Sequence, residues 1–185
     1  MKTIYLIRHC KAAGQEAEAP LTEEGMKQAE RLAEALAGKG IQKIVSSPFR
    51  RAVRSVEPLS RRLGIDAAVD ERLSERVLSG RDLPDWMEHL RRSFEEMDVA
   101  LEGGESSRRA TERALAVVKE LANGEANVVA AATHGNLMAL LLKAFDASVG
   151  FETWKALSNP DVYKLSFQDG DFVEMERVWD ERAGG

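Results

Sequence analysis

The sequence is poor in cysteine and lacks a long hydrophobic run, and each shortage excludes a class of protein. Its one cysteine, Cys10, cannot form an internal disulfide or a thiolate metal site, and such a chain is typical of a reducing compartment. The longest apolar stretch, residues 137–142, ends at Lys143 and is too short to span a membrane. The apolar run before Arg8 is too short for a signal peptide. We therefore expect a cytoplasmic protein that does not bind membranes.

The charge balance is mildly acidic. The chain has 185 residues, with 26 Lys and Arg against 31 Asp and Glu, which gives a net charge of −5. This balance argues against nucleic acid and anionic membranes as partners. A hydrophobic fraction of 44% is typical of a globular chain, and the length predicts a single domain over residues 1–185. An anionic ligand would therefore need a locally basic pocket.

Predicted strands and helices alternate along the chain. Buried strands are predicted at residues 3–7 and 128–133, a further strand at 41–45 and a short one at 65–69. Strands at 162–168 and 171–177 flank the hairpin turn Asp169–Gly170. Helices are predicted after Thr22, from Ser47–Pro48, around residues 86–94, from Ser106 or Ser107, and from Gly135. The first of them would bury Met26, Ala29, Leu32, Ala33 and Leu36. This order predicts an α/β fold: a three-layer α/β/α sandwich with a mostly parallel sheet and a C-terminal hairpin at its edge.

Basic and imidazole side chains follow three of the predicted strands. Arg8 and His9 come directly after the first strand, Arg51 lies in the helix after the second, and His134 follows the strand at 128–133. Ligands of parallel α/β sheets bind beyond the carboxyl ends of the strands, so these side chains are expected to meet there. One guanidinium group can bind two phosphate oxygens at once, and a neutral imidazole can attack phosphorus. The pattern therefore predicts a phosphate site, although a single histidine after a strand is more often a satisfied core residue.

Six blocks of sequence resemble those of the histidine phosphatase superfamily, which has the phosphoglycerate mutase-like fold. LIRHC resembles the Arg-His-Gly signature, LTEEGMKQAERLAEAL the Leu-Thr-x-x-Gly-x-x-Gln-Ala helix, and SSPFRRAVRS the Ser-Pro-x-x-Arg-Ala segment. DERLSER is similar to the Leu-x-Glu block, and GGES and ATHGN match two later blocks. The blocks occur in the expected order from residue 4 to about residue 145.

The resemblance implies a role for each of five residues. His9 would be the nucleophile that is transiently phosphorylated, while Arg8 and Arg51 would hold the phosphoryl oxygens. His134 would line the same pocket and stabilise the transferring group, and Glu75 would donate a proton to the leaving alcohol. No metal and no cofactor is implied.

One assignment has an alternative, and the sequence departs from the family pattern at three positions near His9. The position of Glu75 comes from the Leu-x-Glu match alone, and Glu71 is the alternative acid. Cys10 stands where the family usually has glycine, and we interpret it as a small buried filler or as an oxidisable thiol beside the site. Ala12 and Gln15 replace a common Thr and Asn of the phosphate-binding loop, which leaves Gln15 as a candidate phosphate contact.

Residues 76–104 form a predicted cover segment between the Leu-x-Glu and GGES blocks, where family members commonly place substrate-selecting elements. Arg76, Trp86 and Arg91 are the candidates for substrate selection. Alternatively, Trp86 forms the packed face of a cover helix together with Leu90 and Phe94.

The resemblance favours hydrolysis of a phosphomonoester without a metal, through a phosphohistidine on His9. The alternatives are phosphoglycerate mutase activity, for which the chain is short, and a non-catalytic phospho-ligand-binding module on the same fold. The expected partner is a small phosphorylated substrate, with a phosphoprotein also open. The exposed edge of the hairpin would permit an oligomer.

Overall fold

The computed structural model describes residues 1–180. Within this range the chain alternates between strands and helices in the predicted order, with a short 3-10 helix at Glu71–Leu73. The strands are β1 (Lys2–Arg8), β2 (Lys43–Ser46), β3 (Ala67–Val69), β4 (Val128–Thr133), β5 (Asp161–Gln168) and β6 (Asp171–Arg177). The α-helices are α1 (Glu23–Leu36), α2 (Arg50–Leu63), α3 (Trp86–Ser93), α4 (Ser107–Ala122), α5 (Gly135–Phe145) and α6 (Phe151–Ala156).

The strands form one mixed sheet in the order β3-β2-β4-β1-β5-β6. The four strands from β3 to β1 are parallel, whereas β5 runs antiparallel to β1 and β6 antiparallel to β5. Asp169 and Gly170 turn the β5–β6 hairpin with φ values of 54° and 88°, the positive angles that a tight hairpin requires. The predicted parallel sheet with a C-terminal hairpin at its edge is confirmed.

Both faces of the sheet are covered by helices. Ile4 and Leu6 of β1 pack into a core with α4 and α5, whereas Tyr5 and Ile7 pack into a second core with α1 and α2. Alternate residues of a strand point to opposite faces, so a continuous apolar run is what a strand buried on both sides requires. The result is the predicted three-layer sandwich.

The helix starts follow the predictions only in part. The hydroxyl of Thr22 accepts the N–H of Gly25 at 3.0 Å and caps α1, as predicted. Met26 is 55% exposed, so its predicted burial is wrong. The predicted start of the second helix at Ser47–Pro48 is also wrong, because α2 begins at Arg50. The hydroxyl of Ser47 is engaged elsewhere, as described below.

The segment between the 3-10 helix and α4 contains α3, in the place where the sequence predicts a helix. Leu90 and Phe94 are each 3% exposed and belong to the core, whereas Trp86 is 46% exposed. Of the three apolar residues, only Leu90 and Phe94 therefore form a packed face. The short helix α6 was not predicted. None of the helices in the described part of the chain is both long and apolar enough to cross a membrane.

Candidate active site

The residues that follow the parallel strands β1, β2 and β4 lie together at one edge of the sheet. Arg8 at the end of β1 is in register with Thr133 at the end of β4. The pairing extends one residue further, because the N–H of His9 donates to the carbonyl of Thr133 at 3.1 Å. On the other side of β4, the N–H of Ser47 donates to the carbonyl of Ala132 at 2.9 Å. The ring centroids of His9 and His134 consequently lie 5.1 Å apart.

The hydrogen bonds of His9 define its tautomer. Nδ1 lies 2.7 Å from the carbonyl oxygen of Cys10, an acceptor, so Nδ1 carries the proton. Nε2 in turn accepts a hydrogen bond from Nε of Arg51 at 3.2 Å. Burial is the main cause that lowers the pKa of His9 to about 4; the charges of Arg51 and Arg8 also lower it, and the bond to Cys10 opposes them. At neutral pH the ring is therefore uncharged, with a lone pair on Nε2.

His134 is fully buried beside this ring. Its Nε2 lies 2.8 Å from the hydroxyl of Ser47, which also accepts the N–H of Phe49 at 3.2 Å. Assigning the hydroxyl as the donor to Nε2 places the ring proton on Nδ1, an atom that is buried and has no hydrogen-bond partner within residues 1–180. Burial is the main cause that lowers the pKa of His134 to about 2, and the charges nearby contribute to the same shift. His134 is thus a neutral ring with an unused donor.

Arg51 is buried to 1% exposure at the start of α2. One of its terminal nitrogens donates to the carbonyls of Gln15 at 3.1 Å and Glu16 at 2.9 Å, and its guanidinium lies 5.0 Å from the ring centre of Phe49. Burial lowers its pKa, but an arginine stays protonated under all ordinary conditions. The loop at residues 15–16 therefore holds a fixed positive charge against Nε2 of His9.

Arg8 is positioned by two other segments. A terminal nitrogen donates to the carbonyls of Leu157 at 3.1 Å and Ser158 at 3.4 Å, while its buried Nε has no partner in the described part of the chain. The guanidinium also lies against Gly135, where an added Cβ would come within 2.9 Å of three of its atoms. The glycine of the ATHGN block is therefore needed for the close approach of Arg8.

Glu75 binds the first turn of α5. Its carboxylate accepts the N–H groups of Arg76 at 2.8 Å, Asn136 at 3.2 Å and Leu137 at 2.9 Å. The latter two are among the donors that a helix start leaves unsatisfied. Burial raises the pKa of Glu75, and the three N–H groups together with the charge of Arg8 oppose the rise. A carboxyl with a raised pKa can serve as a proton donor.

A cavity of about 670 Å³ opens over Arg51 and Glu75. The alternative acid, Glu71, is exposed in the 3-10 helix and is not among the residues that line this cavity. The geometry therefore favours Glu75. The cavity is lined by Gln15, Ala17, Phe49, Arg51, Glu75, Arg76, Val77, Leu78, Ser79, Arg81, Asp82, Leu83 and Trp86.

The three residues expected to select the substrate have different surroundings. Trp86 lines the cavity and makes an edge contact with Trp154 of α6, with ring centroids 6.4 Å apart. Arg76 also lines it, but the residue is only 5% exposed, and its guanidinium donates to the Glu105 carbonyl at 3.0 and 3.1 Å. Arg91 does not line the cavity and pairs with Glu88 at 3.1 Å on the exposed side of α3. Trp86 is thus the best placed of the three.

Gln15 lines the cavity and supplies a backbone carbonyl to Arg51. Cys10, which follows His9 in the chain, is fully buried, and burial raises the pKa of the thiol to about 12. The N–H of Cys10 donates to the hydroxyl of Ser55 at 2.7 Å. Among the described residues other than glycine, only Asp169 has a positive φ, so Cys10 occupies the glycine position in ordinary backbone geometry. These surroundings favour the buried filler over a reactive thiol.

Three further residues contact the site but were not predicted as site residues from the sequence. The hydroxyl of Ser47 bonds His134, and the ring of Phe49 lies 4.8 Å from the ring of His134. The side-chain amide of Asn159 donates to the carbonyl of His9 at 2.9 Å. Ser47 and Phe49 lie in the SSPFRRAVRS block, whereas no pattern in the sequence marks Asn159. Within residues 1–180 no three His, Cys, Asp or Glu side chains cluster so as to hold a metal ion.

Comparison with solved structures shows what the chain is similar to. It matches the mycobacterial glucosyl-3-phosphoglycerate phosphatase in complex with inorganic phosphate at 26% identity and a TM-score of 0.78, over 100% of both chains. It matches Bacillus stearothermophilus YhfR at 25% identity and a TM-score of 0.74, over 94% of this chain and 95% of that one. A phosphoglycerate mutase from Bacillus anthracis, at 18% identity and a TM-score of 0.75 over 96% of this chain and 92% of that one, shares the fold.

Comparison with curated and family sequences agrees with the structures. A probable phosphoglycerate mutase of Salmonella paratyphi B is 27% identical over 197 residues, which cover 94% of this chain and 88% of the relative. The sequence model of the histidine phosphatase superfamily (branch 1) matches residues 4–180. The resemblance seen in the six sequence blocks is thereby confirmed. The chain belongs to branch 1 of the histidine phosphatase superfamily.

Proposed function

We propose that this protein hydrolyses phosphomonoesters without a metal ion, through a covalent phosphohistidine on Nε2 of His9. One observation carries the proposal: Nδ1 of His9 donates to the Cys10 carbonyl, so the lone pair that can attack phosphorus lies on Nε2, beside Arg51. The neighbouring Arg51 and His134 suit a phosphoryl group, because one is a fixed cation and the other a neutral donor.

In the first step, Nε2 of His9 attacks phosphorus and the bond from phosphorus to the ester oxygen breaks. Arg8, Arg51 and His134 stabilise the negative charge on the phosphoryl oxygens. Glu75, whose pKa is raised by burial, transfers a proton to the departing oxygen, and the alcohol leaves neutral. His9 now carries the phosphoryl group, and Glu75 is ionised.

In the second step, water replaces the alcohol. The carboxylate of Glu75 removes a proton from the water as its oxygen attacks phosphorus, and the bond from phosphorus to Nε2 breaks. Inorganic phosphate leaves, His9 regains its lone pair, and Glu75 is again protonated. Two moderate displacements thereby replace one difficult displacement, and no atom of the protein is consumed.

The trapped intermediate tests this mechanism. Wild-type protein quenched during turnover of 4-nitrophenyl phosphate should carry one phosphoryl group on the peptide that contains His9, and His9→Ala should carry none and lose turnover. His89→Ala is the matched control, because His89 pairs with Asp85 at 3.1 Å outside the site. A chelator should leave the rate unchanged. Equal rates in wild type and His9→Ala would overturn the proposal, and equal, negligible rates would favour the non-catalytic module.

Phosphoglycerate mutase activity is the second candidate, because the curated relative in Salmonella paratyphi B has that probable assignment. We favour hydrolysis, since this chain is shorter than that relative and the structural match to the mycobacterial phosphatase covers both chains completely. Incubation with 3-phosphoglycerate separates the two, because a phosphatase releases inorganic phosphate and a mutase produces 2-phosphoglycerate. Isomerisation faster than phosphate release would reverse our choice.

We further propose that residues 1–185 act as one domain in which the segment 76–104 covers the site and contacts the leaving group. The support is that Arg76, Leu83 and Trp86 of this segment line the same cavity as Arg51 and Glu75. The substrate would be a small phosphorylated molecule, with a phosphoprotein side chain as the larger alternative. A phosphate-release screen over metabolites and phosphopeptides would identify it.

A further inference from the structure

The backbone carbonyls of the three residues just before Glu75 accept hydrogen bonds from side chains of other elements. A terminal nitrogen of Arg113, in α4, donates to the carbonyls of Arg72 at 2.7 Å and Ser74 at 2.9 Å. The hydroxyl of Thr133, at the end of β4, donates to the carbonyl of Leu73 at 2.7 Å. Three successive carbonyls are therefore bound by side chains, and Glu75 follows directly.

The two residues just after Glu75 are also held in place, in this case by Glu105. The N–H of Glu105 donates to the carbonyl of Val77 at 2.9 Å. The carbonyl of Glu105 accepts two N–H groups of the Arg76 guanidinium, at 3.0 and 3.1 Å. Glu105 therefore binds both residues that follow Glu75.

An ion pair joins the two supports. Nε of Arg113 donates to one carboxylate oxygen of Glu105 at 3.2 Å, and a terminal nitrogen contacts the other. Their side chains are only 23% and 24% exposed. The planar guanidinium can bind a carboxylate along one edge and carbonyl oxygens along another, whereas the single ammonium of a lysine cannot do both.

We infer that Arg113 and Glu105 form a clamp that positions Glu75 as the proton donor, an inference that rests on the proposed function. The carboxylate of Glu75 reaches α5 only if its backbone is held at the right distance from Asn136 and Leu137. A displacement of about 1 Å in a reacting group costs on the order of 100-fold in rate. Arg113 does not line the cavity, and its charge is one of four that lower the pKa of His134. Because Arg113→Lys keeps that charge, a loss of activity that it shares with Arg113→Met passes through the Glu75 segment.

The dependence on the leaving group reports on this role. An acidic leaving group such as 4-nitrophenol departs without much help, whereas an alkanol needs the proton of Glu75. Arg113→Met should therefore lower kcat for an alkyl phosphate on the order of 100-fold and for 4-nitrophenyl phosphate less than about tenfold. Arg109→Met is the matched control, because Arg109 is an exposed arginine of the same helix, and it should leave both rates unchanged.

Arg113→Lys keeps the positive charge and protects the test from a variant that does not fold. Because a lysine cannot bind Glu105 and both carbonyls together, it should show the same selective loss of alkyl phosphate hydrolysis, with a thermal unfolding curve close to wild type. Full activity in Arg113→Lys would show that charge alone matters and would overturn the clamp. Equal losses on both substrates in Arg113→Met would also overturn it.

A double variant separates failure of the clamp from failure of the proposed function. Added to Glu75→Gln, Arg113→Met should cause little further loss on the alkyl phosphate, because the group that it positions is already absent. Additive losses would overturn the clamp and leave the proposed function standing. If Glu75→Gln itself hydrolyses the alkyl phosphate as fast as wild type does, the proposed role of Glu75 fails first.

Discussion

The hydroxyl of Ser47 lies 2.8 Å from Nε2 of His134 and links the end of β2 to the end of β4. Because this contact leaves Nδ1 of His134 as the free ring nitrogen, Ser47 determines which donor His134 can offer to a phosphoryl oxygen. The residue acts through His134.

Ser47→Ala should therefore lower kcat by about fivefold to tenfold, which corresponds to the roughly 1 kcal/mol of one hydrogen bond. The KM should change less than kcat if His134 acts mainly in the transition state. The measurement is steady-state turnover of 4-nitrophenyl phosphate. Ser46→Ala is the control, since the hydroxyl of this buried neighbour donates only to the Ser47 carbonyl. Equal effects of the two substitutions would contradict the role of Ser47.

Gly135→Ala should displace the Arg8 guanidinium, because the new Cβ would lie 2.9 Å from three of its atoms. Loss of a charge-assisted contact of about 1.5–3 kcal/mol predicts a fall in kcat/KM of about 10-fold to 100-fold. The inhibition constant of inorganic phosphate should rise in parallel. Gly38→Ala provides the control, since no atom lies within 4 Å of the Cβ position there. A Gly135→Ala variant with wild-type phosphate affinity would show that Arg8 does not bind the phosphoryl group.

The pH profile of alkyl phosphate hydrolysis should be bell-shaped. Activity should fall below about pH 4, where His9 takes a proton on Nε2, because its pKa is lowered to about 4. Activity should fall again at higher pH as Glu75 loses its proton, and the raised pKa moves this limb above the ordinary range of a glutamate. The measurement is kcat/KM against pH in wild type and in Glu75→Gln. Only the alkaline limb should vanish in the variant, and its survival would remove Glu75 from the role of acid.

Trp86→Ala should raise the KM for aryl phosphates by about threefold to tenfold, because a ring contact of about 0.5–1.5 kcal/mol with the leaving group would be lost. The inhibition constant of inorganic phosphate should stay unchanged, since phosphate has no leaving group to meet Trp86. Arg91→Ala should change neither value, because Arg91 lies outside the cavity and pairs with Glu88. A larger effect of Arg91→Ala than of Trp86→Ala would indicate that the exposed side of α3 selects the substrate.

Much of the fold could be predicted from the sequence because the strands are buried on both faces. The apolar runs of β1 and β4 predict central strands between two helical layers, and the Asp169–Gly170 turn predicts the hairpin. The start of α2 could not be predicted in this way. A serine before a proline is typical of a helix cap, but Ser47 contacts a histidine 87 positions along the chain, and α2 begins later.

Residues 76–104 are a second region in which the sequence predicts a helix but not the surroundings of its side chains. Four-residue spacing predicted α3 and the burial of Leu90 and Phe94. It did not separate Trp86, which faces the cavity, from Arg91, which pairs on the exposed side. Spacing defines which residues share a helix, whereas the direction in which a helix is docked depends on distant elements.

By itself, the sequence determined the order of strands and helices, the family, and the arginines and histidines that follow the strands. Only the tertiary structure decided the tautomer of His9, the position of Glu75 at the cavity and of Glu71 away from it, and the contacts of Arg113 and Glu105 with the Glu75 segment. The physical reason is that these features rest on hydrogen bonds to backbone carbonyl and N–H groups. Almost every residue carries the same backbone groups, so no pattern of side chains marks the ones that are used.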